Sequence, residues 1–181
     1  MNLILTGLRA TGKTSLGRRL ALVLRRPFFD TDQLIEQHIS EPITQYVDRL
    51  GWNAFRDIEH QVICQVARQQ DAVISTGGGA LTYARNVEVL KPVGVIILLA
   101  ADPATLTRRL ARSYVRPPLT DEPSLEAEMA GLWTQREPLY RTVSDVVFRV
   151  DAETETDNEA ADIHAKVAAL LTMLRPFLDQ Q

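Results

Sequence analysis

The stretch Gly7-Leu8-Arg9-Ala10-Thr11-Gly12-Lys13-Thr14-Ser15, "GLRATGKTS", follows the apolar run Leu3-Ile4-Leu5. It matches the phosphate-loop pattern, in which two glycines bracket four residues and a lysine and a hydroxyl follow. The context agrees, with an apolar strand before the loop and a helical pattern after it. Glycines let backbone N–H groups turn inward on an anion, and the following helix adds its positive end. Gly7, Ala10, Thr11, Gly12, Lys13, Thr14 and Ser15 are therefore the candidate nucleotide-binding residues. Lys13 reaches the outer phosphates, and Thr14 is placed to ligate Mg²⁺. A plain glycine-rich turn is the alternative. Ala10 is untidy, because alanine resists the positive φ that a glycine there would take freely.

Outward from this loop the pattern alternates. Strands are expected at Asn2–Thr6, Pro27–Asp30, Ala72–Thr76, Val93–Ala100 and Asp145–Val150. Helices are expected at Lys13–Arg25, Gln33–Ile39, Ile43–Leu50 and Trp52–Gln70. A further helix starts at Asp102-Pro103, and a last one runs from about Asn158 to Leu174. Apolar strands separated by helices imply an α/β fold with a parallel sheet covered on both faces. Ligands of such sheets bind beyond the carboxyl ends of the strands. "ARSYVRPPLTDEPS", Ala111 to Ser124, carries three prolines and no apolar periodicity. It reads as a lid segment or a plain surface connection.

The bulk composition narrows the function. The chain has 181 residues, 45% hydrophobic and 24% charged, enough for one domain with a real core. A net charge of −3 gives no basic excess for nucleic acid or an anionic membrane. Lysine occurs only at Lys13, Lys91 and Lys166, and every other cation is an arginine. Arginine suits planar recognition of carboxylates and phosphates. The single cysteine, Cys64, excludes an internal disulfide and reads as a reduced, buried thiol. "VGVIILLAA", Val93 to Ala101, is too short to span a bilayer. No signal peptide is expected at the N-terminus, and the expectation is a soluble cytoplasmic protein.

The groups that hold the molecule receiving the phosphate must be sought elsewhere. "FFDTD" places Asp30 and Asp32 beside the phosphate loop if the second strand lies near the first. Two carboxylates two residues apart point the same way from an extended segment. One suits Mg²⁺ held through water, and the other suits proton acceptance from an attacking hydroxyl. The alternative is that Asp32 caps the next helix while Asp30 merely ends a strand. Asp102 also ends a strand, but its Asp-Pro context favours a helix start. In "AFRDIEH", Arg56 and Glu59 are one turn apart, as a site pair or a solvated one. Gly77, Gly78 and Gly79 follow the third strand and let a ligand lie against the backbone, or form a flexible turn. "VRPPL" and "QREPLY" supply Arg116 and Arg136, each a site arginine or a solvated surface one.

The ordered set "GLRATGKTS", "DTD", "FRDIE", "TGGG", "RPPL" and "REPLY" closely resembles shikimate kinase, over Asn2 to about Val150. The resemblance implies transfer of the γ-phosphate of ATP to the 3-hydroxyl of shikimate, with Mg²⁺ as cofactor. It implies a P-loop nucleoside-monophosphate-kinase-like three-layer sandwich with a five-stranded parallel sheet of order 2-3-1-4-5. It implies one kinase domain, 1–181, with a lid at about 111–124 and a shikimate-binding helical segment at about 31–60. By position, Asp32 binds the acceptor hydroxyls and serves as base, and Asp30 is the outer-shell magnesium aspartate. Arg56 and Arg136 clamp the acceptor carboxylate, with Glu59 behind Arg56. Gly77, Gly78 and Gly79 line the ring. Arg116 is the lid arginine, acting catalytically with Lys13 and Asp32. Arg112, or alternatively Arg109, packs on adenine. Ala10, "RPPL" in place of "RPLL", and a short lid depart from the family pattern. The partners implied are ATP and shikimate, with no nucleic acid or membrane, and a monomer is expected. A gluconate-kinase-like enzyme and a non-catalytic nucleotide-binding module are the competing readings.

Overall fold

The apolar run before the phosphate loop forms the central strand. The computed structural model describes residues 1–112, 122–151 and 159–179. β1, Asn2–Thr6, is buried at every residue. It pairs in parallel with β3, Val73–Ser75, on one side and β4, Gly94–Ala100, on the other. β2, Phe28–Asp30, lies outside β3, and β5, Val146–Arg149, lies outside β4. The five-stranded order is β2-β3-β1-β4-β5, as the family resemblance implies.

Side chains alternate between the two faces, as strand geometry requires. Leu3, Leu5, Val73, Val95 and Ile97 pack with Leu16 and Leu20 of α1, Lys13–Leu24, and with Val167, Leu170 and Leu174 of α7, Glu159–Leu178. The intervening Ile4, Ile74 and Ile96 pack with Ile63 and Val66 of α3, Ile43–Val66, and with Leu90 of α4, Ala84–Leu90. Each fully buried leucine or isoleucine contributes about 2 kcal/mol. α2, Thr31–Ile39, packs on α3 through Ile35, Phe55 and Val62. α5, Pro103–Arg112, and α6, Leu125–Val143, complete the fold.

Some sequence expectations shift. The helices expected at 43–50 and 52–70 are divided at Gly51 as the sequence implies, its φ of 80° suiting glycine, but the second ends at Val66 rather than Gln70. The last helix passes Leu174 and runs to Leu178 through Pro176, while Asn158 lies outside the described residues. Cys64 is half-buried rather than buried. Its helical phase puts it on the shoulder between the core positions Ile63 and Val66, with Sγ 3.6 Å from His60 Nε2. No helix among the described residues is long and apolar enough to cross a membrane.

A buried ion pair fastens the phosphate loop to α6. Arg9 Nη2 donates to Glu128 Oε1, and the two side chains are only 11% and 2% exposed. Removing one member of a buried pair strands the other's charge, whereas replacing both with apolar groups does not. Glu128→Gln is expected to lower stability by about 3 kcal/mol in urea denaturation, and the double variant Arg9→Met/Glu128→Met to lie closer to the parent.

Candidate active site

The phosphate loop joins β1 to α1. Lys13 Nζ donates to the carbonyls of Gly7 and Leu8, at 2.8 Å each. Thr11 Oγ1 donates to the Leu8 carbonyl at 2.8 Å. Ala10 takes φ 63°, the left-handed conformation alanine resists. The departure from glycine therefore leaves the loop's shape intact and adds strain of about 1–2 kcal/mol. Ser15 is exposed on the first turn of α1.

The two aspartates of "DTD" do not share one extended segment. β2 ends at Asp30 and α2 begins at Thr31, so Asp32 sits in the first helical turn. The capping residue is Asp30, not Asp32: its Oδ1 accepts from the N–H groups of Asp32 and Gln33 at 3.1 and 3.4 Å. The cap wins because a carboxylate at this position meets the helix's open N–H groups. The other oxygen, Asp30 Oδ2, accepts from Thr14 Oγ1 at 2.7 Å. The hydroxyl and carboxylate assigned to the metal are thus in contact beside the phosphate loop. Asp102, the competing aspartate, is 68% exposed and pairs with Arg149 at 3.0 Å.

The glycine triplet joins the halves of the site. Thr76 donates through its N–H and Oγ1 to the Leu5 carbonyl, at 3.0 and 3.1 Å. The Gly77 N–H donates to Thr31 Oγ1 at 3.0 Å. A Cβ at Gly77 would stand 2.7 Å from Asp32 Oδ1 and 3.1 Å from Glu59 Oε1. One at Gly78 would meet the Gly7 carbonyl oxygen and the Arg9 nitrogen at 3.4 and 3.5 Å. One at Gly79 would stand 3.0 Å from Arg56 Nη2. Three consecutive residues thus adjoin the Asp32 carboxylate, the phosphate loop and the Arg56 guanidinium. Close approach of this kind is what the missing side chains permit.

Arg56 Nη1 donates to Glu59 Oε2 at 2.7 Å, and Glu59 is buried. Burial raises the Glu59 pKa above its ordinary 4.5; Arg56 opposes that shift, and the Asp32 charge adds to it. Arg136 Nη1 donates to the Gly78 carbonyl at 3.3 Å, and Tyr140 Oη donates to the same oxygen. Tyr140 is fully buried, and burial raises its pKa, so the phenol stays a neutral donor. Arg56 and Arg136 line one cavity of about 150 Å³ with Thr82, Tyr83, Gln135 and Leu139.

On the nucleotide side, Arg109 Nη1 lies 3.4 Å from the Ala10 carbonyl and Nη2 lies 3.2 Å from that of Val150. Arg112 ends α5; its side chain and all of Arg116 lie outside the described residues. Tyr140 and Arg9 went unassigned in the sequence. Tyr140 had a signal, since it follows Arg136 by one helical turn in "REPLY". Arg9 had none, because its partner is 119 residues away.

A phosphate loop in contact with a carboxylate, with two arginines lining a small cavity, marks a P-loop phosphotransferase. The family model for shikimate kinase matches residues 9–170. A shikimate kinase of Syntrophus aciditrophicus is 39% identical over 158 residues, covering 81% of each chain. Among solved structures, shikimate kinase from Bacteroides thetaiotaomicron superposes with a TM-score of 0.85 at 30% identity, covering 97% of this chain and 98% of that one. Shikimate kinase from Acinetobacter baumannii in complex with shikimate gives a TM-score of 0.83 at 32% identity, covering 97% and 93%. The chain belongs to the shikimate kinase family.

The raised pKa of Glu59 has a signed consequence. Below its ordinary value of 4.5 the carboxyl is protonated in both folded and unfolded chains. Between that value and the raised one the folded chain holds the extra proton, so stability falls as pH rises, then levels off. In urea denaturation from pH 4.5 upward, the stability of the parent relative to Glu59→Gln should fall across this window and then become flat. A difference independent of pH would show that Glu59 titrates normally.

Proposed function

We propose that the chain transfers the γ-phosphate of ATP to the 3-hydroxyl of shikimate, giving shikimate 3-phosphate and ADP. The observation that carries this is the glycine triplet, whose three residues abut Asp32, the phosphate loop and Arg56 in turn. The reaction belongs to the shikimate pathway, which leads to the aromatic amino acids.

Each group has a role in this reading. Arg56, backed by Glu59, and Arg136 hold the acceptor carboxylate across their shared cavity. That anchor turns the 3-hydroxyl toward Asp32, which accepts its proton. Gly77, Gly78 and Gly79 let the ring lie against the backbone. Gly7, Ala10, Thr11, Gly12 and Ser15 surround the phosphates, and Lys13 neutralises the outer ones. Arg109 is the better candidate for adenine, since it already bridges the phosphate loop and the end of β5. Arg116 closes over the phosphates as part of a lid at about 111–124, of which residues 113–121 lie outside the described residues. Closure excludes water from the transferring group.

Thr14 and Asp30 suit Mg²⁺. They offer one hydroxyl and one carboxylate oxygen, few ligands for a cation that keeps most of its waters and takes phosphate oxygens. When bound, the ion neutralises charge on the phosphates. The reading also includes a monomer working in the cytoplasm, checked by light scattering and cell fractionation.

A gluconate-kinase-like activity is disfavoured by the family match rather than by the arginines, since gluconate carries a carboxylate too. A coupled assay with ATP and Mg²⁺ should show saturable turnover of shikimate and little of gluconate; the reverse ranking would reject the reading. Asp32→Asn is expected to lower kcat by at least about a hundredfold while the affinity for ADP stays near that of the parent. Parent-like turnover in that variant would rule out Asp32 as the base.

A further inference from the structure

Arg56 is enclosed by aromatic rings. Its guanidinium carbon lies 5.2 Å from the Trp52 ring centroid, 4.9 Å from that of Phe55 and 4.9 Å from that of Tyr83. Trp52 and Phe55 share α3 with Arg56 and meet edge to face, 5.7 Å apart. Tyr83 arrives from a different segment. It stands between the 3-10 turn Ala80–Thr82, which follows the glycine triplet, and α4. Its backbone is fixed at both ends: the N–H donates to the Ala80 carbonyl, and its carbonyl accepts from the N–H groups of Asn86 and Val87. The ring is 40% exposed and lines the cavity shared by Arg56 and Arg136.

A guanidinium carries weakly held water and stacks on aromatic faces. Glu59 holds Nη1 of Arg56, while Nε is buried without a hydrogen-bond partner. One hydrogen-bonded contact leaves the group free to rotate about it. Rings on several sides remove that freedom, and Tyr83 supplies the wall on the cavity side, independent of α3.

We propose that Tyr83 is a positioning residue for the acid acceptor, its ring setting the plane in which Arg56 meets the carboxylate. The inference rests on the shikimate reading above. The ring face, not the hydroxyl, does the work. The residue acts through Arg56, so its effect requires both the arginine and a charged acceptor.

Steady-state kinetics on Tyr83→Leu and Tyr83→Phe test this, using shikimate and its neutral methyl ester, in the parent and in an Arg56→Met background. Tyr83→Leu is expected to raise KM for shikimate about fivefold, with KM for ATP within about twofold of the parent. Tyr83→Phe should restore the parent value. The Tyr83→Leu penalty should vanish for the ester and in the Arg56→Met background. An equal penalty on the ester, a penalty that persists without Arg56, or a joint rise in both KM values would overturn the proposal. Parent-like kinetics in Tyr83→Leu overturn it alone. A parent inert toward shikimate overturns both it and the substrate reading.

Discussion

The site depends on how closely other groups approach the backbone after β3. Gly77, Gly78 and Gly79 form a bare strip where a carboxylate, a loop and a guanidinium come to 2.7, 3.4 and 3.0 Å from where the missing Cβ atoms would stand. A Cβ at Gly77 or Gly79 would push Asp32 or Arg56 away, while one at Gly78 would just reach contact with the phosphate loop. The sheet supplies the precision: β3 is hydrogen-bonded to β1 and β2 on its two sides, so the strip inherits a fixed position relative to both the phosphate loop and Asp30. The Gly78 carbonyl then receives Arg136 and Tyr140 from α6, which brings the second arginine of the cavity to the same strip.

Charge is handled consistently around this strip. Glu59 and Glu128 are both buried carboxylates, and each is matched by an arginine. One pair orients Arg56, the proposed substrate clamp, and the other anchors the phosphate loop. Both exploit the fixed fork of the guanidinium, which loses less freedom per bond than a lysine stem would. The one lysine at the site, Lys13, stands where a compact point charge is wanted.

The strands could be read from the sequence because a parallel sheet covered on both faces leaves runs such as Leu3-Ile4-Leu5 and Ile96-Ile97-Leu98 unbroken by polar residues. The phosphate loop and the glycine triplet were equally open to reading, since each is a local pattern with its own chemistry; the pairing of Arg56 with Arg136 came only from the family resemblance. What escaped was set by competition or distance. Asp30 and Asp32 were expected on one extended segment, but the open N–H groups of α2 captured Asp30 and drew Asp32 into the helix. Arg109 and Arg112 are three residues apart on α5, so helical phase alone cannot choose between them. Arg9 with Glu128, and Tyr83 with Arg56, meet only because the sheet order brings distant segments together.

Asp30 leaves a final consequence. One of its oxygens tethers the start of α2 and the other faces Thr14. A single side chain is therefore the hinge pin between the parts assigned to the donor and to the acceptor. A tug on one oxygen is felt at the other, because both hang from one rigid carboxyl plane. The seat of Thr14 and the start of α2, which carries Asp32, are thereby soldered to the same few atoms.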